Sequence, residues 1–144
     1  MKKILILILA VLLLLGGCSL HKGAPQIEDY HWALSSVQGG KDGRILACAP
    51  GELLPAGNTQ EIEMECTAAN GMLTLTDRTN NQSYSGGYRR MQADRRSSIY
   101  EITLDGREDI ASVSMTQYHN GMQIPTFIIR LDDHALTFHA AAGR

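Results

Sequence analysis

Four arginines, Arg89, Arg90, Arg95 and Arg96, fall within eight residues, with Asp94 the one acid among them. Guanidinium groups grip phosphate oxygens in a two-pronged fashion, so such a run can hold anionic lipid or a phosphate-bearing cell-wall polymer. The same run also suits a solvated basic loop. Asp132-Asp133-His134 puts two carboxylates and an imidazole within reach of one cation, yet adjacent acids in a turn also serve as a solvated cap. His134 and His139 are five apart on one strand and so face opposite ways, which prevents them from chelating together. No metal site is expected. Glu61, Glu63 and Glu65 share one strand face and read as solubilising edge charges. There is no Gly-x-Ser-x-Gly elbow and no Gly-rich phosphate loop leading into a helix. Neither an enzyme nor a cofactor is expected.

The elements that must position these groups follow from hydrophobic period. Beyond Asp29 the period is 2, not 3.6. Strands are expected at 32–37, 44–48, 61–66, 72–76, 84–88, 99–104, 111–116, 126–131 and 135–140. Asn70-Gly71, Asn80-Asn81, Asp105-Gly106, Asn120-Gly121 and Asp132-Asp133 punctuate them as tight turns. Gly86-Gly87 suggests a bulge or sharp bend, and 89–97 reads as the basic loop. No long amphipathic helix is visible after the N-terminal segment. About nine strands joined by short turns make an antiparallel meander. Closure into a barrel removes its exposed edges.

The N-terminal segment gives an address. Lys2 and Lys3 precede an unbroken apolar run, Ile4 to Leu15. Twelve residues are too few to span a bilayer but suit a signal peptide. Leu15-Gly16-Gly17-Cys18 then resembles the bacterial lipobox. The resemblance implies cleavage before Cys18 and acylation of its sulfur. Residues 1–17 are then signal peptide, 18–29 a lipidated tether with Gly23, Ala24 and Pro25, and 30–144 a single domain. Losing 17 of 144 residues leaves 127, and losing both lysines moves the formal charge from −2 to −4. Nucleic acid is excluded as an expected partner. With Cys18 acylated in an extracytoplasmic, oxidising location, Cys48 and Cys66 remain as an even pair. A disulfide is expected, worth roughly 3 kcal/mol for a loop of this length in the chain-entropy view. Two buried free thiols are the alternative.

Trp32 in the first strand, Gly86-Gly87-Tyr88, and the Asn/Asp-Gly hairpins together resemble the calycin superfamily, in particular bacterial lipocalin-like lipoproteins. The resemblance covers about residues 30–140. It implies an all-β, antiparallel up-and-down barrel of about eight or nine strands, closed or nearly closed, with a cavity for an apolar or amphipathic molecule. Strand parity turns Trp32, Met64, Tyr84, Tyr88, Tyr100, Met115, Phe127 and Phe138 inward as the candidate ligand-binding wall. The same list also describes a filled core. Two functions follow. One is a membrane-anchored envelope binder of a small lipophilic ligand. The other is an envelope interaction module or inhibitor with a solid core, which binds a protein or cell-wall polymer through its loops.

Overall fold

The computed structural model describes residues 23–52 and 59–141. Its elements are a 3₁₀ turn at Ile27–Asp29 and ten strands. The strands are β1 Trp32–Gly39, β2 Arg44–Cys48, β3 Gln60–Glu61, β4 Met64–Ala69, β5 Met72–Asp77, β6 Gln82–Ala93, β7 Ser97–Leu104, β8 Arg107–Gln117, β9 Gln123–Arg130 and β10 His134–Ala140. From β4 to β10 each strand pairs antiparallel with the next, and β10 and β4 both pair with β1. Eight strands therefore close into the expected up-and-down barrel of calycin-like form. Closure leaves β1 without a free edge along most of its length, which answers the aggregation hazard of an open meander.

The expected ninth strand lies outside the ring. β2 takes over the second half of β1, with Ser36 opposite Cys48 and Gly39 opposite Arg44, while β4 holds the first half. β3 then pairs parallel to β2. The expected strand at 61–66 is thus broken at Ile62 and Glu63. One sequence run serves two partners there: Glu61 pairs outside the ring and Met64 begins a barrel strand. A register shift between Leu34 and Ser36 changes the parity of β1, so that Trp32, Leu34 and then Val37 pack against the core.

Side chains alternate apolar-in and polar-out, the reverse of a lipid-spanning barrel. Leu73 and Leu75 are buried on β5, Tyr100 and Ile102 on β7, Ala111 and Val113 on β8, Phe127 and Ile129 on β9, and Phe138 on β10. The turns take the positions the sequence marked. Asn70, Asn81 and Asp105 all have positive φ, near 50°. Gly86 is required for a different reason. A Cβ there would lie 1.4 Å from the Thr103 carbonyl oxygen, because the end of β7 crosses directly over it. At this point β6 changes partner: Gln82 to Gly87 pair with β5, and Tyr88 onward with β7. Among the described residues, no helix is long and apolar enough to cross a membrane.

Antiparallel order sets two distinct barrel ends. The chain enters at one, beside the β4–β5, β6–β7 and β8–β9 turns. The β1–β2, β5–β6, β7–β8 and β9–β10 turns lie at the other.

Candidate functional site

The residues just before β1 are not tether. Pro25 and Ile27 are buried, Ile27 completely, and the 3₁₀ turn plugs the chain-entry end. Its geometry is fixed from both sides. Gln26 N–H donates to Asp29 Oδ2 at 2.8 Å, Trp32 Nε1 donates to the Ile27 carbonyl at 2.8 Å, and Ile27 N–H donates to the Tyr100 hydroxyl at 3.1 Å. The expected domain boundary at residue 30 therefore moves to about residue 25. The available signals were Pro25 and Ile27, a lone large apolar side chain in an otherwise polar stretch.

Most of the expected ligand-binding wall is brought together, but as packed core. Trp32 lies against Tyr30 (centroids 5.2 Å) and Phe127 (5.4 Å), and Phe127 lies against Phe138 (5.6 Å). Tyr88 meets Tyr100 edge-on at 6.0 Å. These spacings are those of aromatic rings in contact. The tyrosine hydroxyls are engaged within the fold. Tyr100 accepts from Ile27. Tyr88 donates to Glu28 at 2.5 Å and accepts from Gly71 N–H at 3.2 Å. Burial, then the hydrogen bond to Glu28, pushes the Tyr88 phenol up to about 12. Tyr84 and Met64 are half-buried and pack on the core toward the opposite end, where Tyr84 donates to the Gln82 side-chain oxygen. Met115 departs from the expectation: it lines a cleft at the chain-entry end.

Both remaining cysteines are free and buried, which corrects the expected disulfide. Cys66 pairs with Trp32 and Cys48 with Ser36, on the same edge of β1 but four residues apart. That separation is about 13 Å along the strand at ~3.3 Å per residue. A disulfide needs Cα atoms within about 7 Å. Burial pushes the Cys66 thiol up to about 12 and also raises Cys48, so neither is a ready thiolate. Cys18 lies outside the described residues, as do Leu53 and Leu54, loop leucines whose exposure would favour a protein partner.

The arginine run does not form one loop. Arg89 and Arg90 lie within β6, and Arg89 pairs with Glu101 at 2.9 Å. Only Asp94–Arg96 turn. Asp94 accepts from Arg96 N–H at 2.7 Å and Ser97 N–H at 2.8 Å, which holds its carboxyl below the usual range. Arg95 and Arg96 border a polar cleft of about 950 Å³ between this turn, the segment Gly23–Gln26 and the ends of β8 and β9.

At the opposite end, Arg107 reaches Asp132 at 3.2 Å and the buried Asp109 at 3.7 Å, and His134 Nδ1 bonds Asp133 at 2.5 Å. No group of three metal-ligating side chains forms among the described residues. Glu65 is bound by Arg78 at 2.8 Å and His31 at 3.4 Å, and the Arg78 hydrogen bond holds its carboxyl low. It is thus an ion-pair partner and not a free solubilising charge. Comparison with family models, with curated proteins and with solved structures finds no match to the chain.

Proposed function

We propose that this chain is a lipid-anchored, extracytoplasmic protein of the bacterial cell envelope, acylated at Cys18. It acts as a non-enzymatic interaction module that binds a protein or cell-wall polymer through its surface. The observation that carries this choice over a carrier of small molecules is the filled interior. Ile27, Trp32, Tyr100, Phe127 and Phe138 are at most 2% exposed, and Ile27 closes the end nearest the chain entry. A carrier needs an apolar chamber with a few convergent polar groups. Here the Tyr88 and Tyr100 hydroxyls are engaged with the plug.

Native mass spectrometry of the chain from Ser19 onward, expressed in lipid-containing cells, tests the choice. The bare polypeptide mass with two intact thiols is expected. A co-purifying lipid that a mild organic wash removes would overturn it. The second reading would then stand, a small amphipathic ligand seated in the outer half of the barrel. That reading draws on Met64, Tyr84, Leu104, Leu131 and Leu136, which pack on the core there while remaining partly exposed. The address has its own test: labelled palmitate should enter the wild type and not Cys18→Ser.

A further inference from the structure

The geometry points to the chain-entry end as a docking face for an anionic phospholipid bilayer. On this inference the barrel lies on the membrane in a fixed orientation and does not swing freely above it. The inference rests on the lipid-anchor reading for its biological setting, although its test does not use the anchor.

Three observations converge on that end. The first is charge. Its three turns and the plug carry Arg95 and Arg96 against Asp94, Glu28 and Asp29, and each carboxylate is occupied within the fold: Asp94 by the N–H groups of Arg96 and Ser97, Glu28 by the Tyr88 hydroxyl and Asp29 by Gln26 N–H. Among the described residues, no carboxylate forms an ion pair with Arg95 or Arg96, and both border the 950 Å³ cleft with Gln117, Gln123 and Asp29, whose carboxylate is held by Gln26 N–H. A phosphate headgroup is the complementary occupant: guanidinium supplies the two-pronged contact, and the amides can donate to the remaining oxygens. The second is apolar exposure. Among the described residues, four of the six large hydrophobic side chains left exposed sit at this end: Met72, Met91, Tyr118 and Met122, each between 39% and 53% exposed. Amphipathic Tyr and flexible Met beside cationic groups suit the zone between headgroups and acyl chains. The third is reach. Cys18 precedes Gly23 by five residues, which span at most about 18 Å even fully extended. Gly23 itself lines the cleft. An acyl chain on Cys18 would hold this end within headgroup distance, where two arginines at the surface act at high local concentration.

Arg89 contributes less, being paired with Glu101 on the barrel wall. Arg107 and Arg130 lie at the far end and serve as the control pair.

The test uses the chain from Ser19 onward. Every core residue lies between Pro25 and Ala140, so this form retains the whole fold. Co-sedimentation is measured at low salt with phosphatidylglycerol-rich vesicles and with phosphatidylcholine vesicles. Binding to the anionic vesicles alone is expected, weakening as salt rises. The double variant Arg95→Gln/Arg96→Gln should lose about thirty-fold in partitioning, from about fivefold for each basic residue near an anionic surface. Arg107→Gln/Arg130→Gln should keep wild-type binding. Tyr118→Ser/Met122→Ser should weaken the part that survives high salt. Absence of binding to anionic vesicles would overturn the proposal, as would equal losses in both arginine pairs. Equal retention by a soluble poly(glycerol phosphate), indifferent to Tyr118 and Met122, would overturn it in favour of a wall polymer. Loss of palmitate labelling with vesicle binding intact would remove the anchor and leave the docking face.

Discussion

The two ends of this barrel are built on different principles. At the chain-entry end a 3₁₀ turn drops Ile27 into the barrel, and Trp32, Tyr88 and Tyr100 tie it in place by hydrogen bonds to its backbone and to Glu28. Around that sealed centre the rim sets Arg95 and Arg96 beside the exposed Met72, Met91, Tyr118 and Met122. At the opposite end no comparable plug is inserted among the described residues. Leu104, Leu131 and Leu136 remain half-buried, and acids outnumber bases in the surrounding turns. One end gets its order from packing. The other adds surface ion pairs, such as Arg107 with Asp132, to a partly exposed apolar rim. The difference teaches that a short barrel can seal one end by inserting its own chain while the other rim keeps its apolar side chains partly exposed.

The comparison can be broken most sharply in the core. Trp32→Ala should cost about 4 kcal/mol and Leu131→Ala about 1 kcal/mol, since the first empties a sealed site and the second a half-exposed one. Urea denaturation measures both, and equal costs would erase the distinction between the ends. The seam where β6 passes from one half to the other gives the next effect. Gly86→Ala should destabilise by about 3 kcal/mol through overpacking against the β7 backbone. Gly87→Ala, whose added methyl would meet only the Gly71 carbonyl at 3.8 Å, should be tolerated. Thermal melts of the two variants side by side check this.

A smaller effect sharpens the account of the plug. The Tyr88 phenol is raised to about 12 in the folded chain against about 10 unfolded. The folded state therefore holds this proton more tightly. Its contribution is fully present below about pH 10 and is lost as pH rises through about 12. Tyr88→Phe should cost about 1 kcal/mol at neutral pH and flatten the stability profile in that alkaline window. The subtlest contrast is between the thiols. Without any reductant, iodoacetamide should add to neither Cys48 nor Cys66 in the native form from Ser19 onward and to both when it is unfolded. During slow opening Cys48 should react before Cys66, which belongs to the central core cluster. A mass two hydrogens light would restore the disulfide.

Much of the barrel was legible in the sequence because its signals are local. Alternation named the inner faces of β5, β7, β8, β9 and β10. Asn70-Gly71 and Asp105-Gly106 fixed turns through backbone conformations that few residues tolerate. What escaped was set by distant partners. Nothing local tells β2 to leave the ring, since its place depends on β4 claiming only the first residues of β1. The arginines looked like a loop because charge conceals a strand whose outward side faces water. Residues 25–29 looked like tether because a single buried isoleucine has no period. The expected disulfide failed on register: cysteine count shows that a pair exists, and only the pairing of both strands with β1 reveals the distance between its members. Parity turned the wall residues other than Met115 toward the core, but it cannot distinguish a side chain lining a void from one filling it.

The seam between β1 and β10 has a consequence in time. Trp32 lies opposite Ala140, and Ala141 N–H donates to the His31 carbonyl at 2.8 Å. The first and last strands of the ring thus depend on each other, and few pairings in the chain are more remote in sequence. Non-local closure of this kind slows folding. A chain threaded out from its N-terminus presents β1 early, with one side of that strand waiting until the final strand has emerged. The barrel is therefore an open, adhesive sheet until its last few residues arrive, and any truncation within β10 should leave it so.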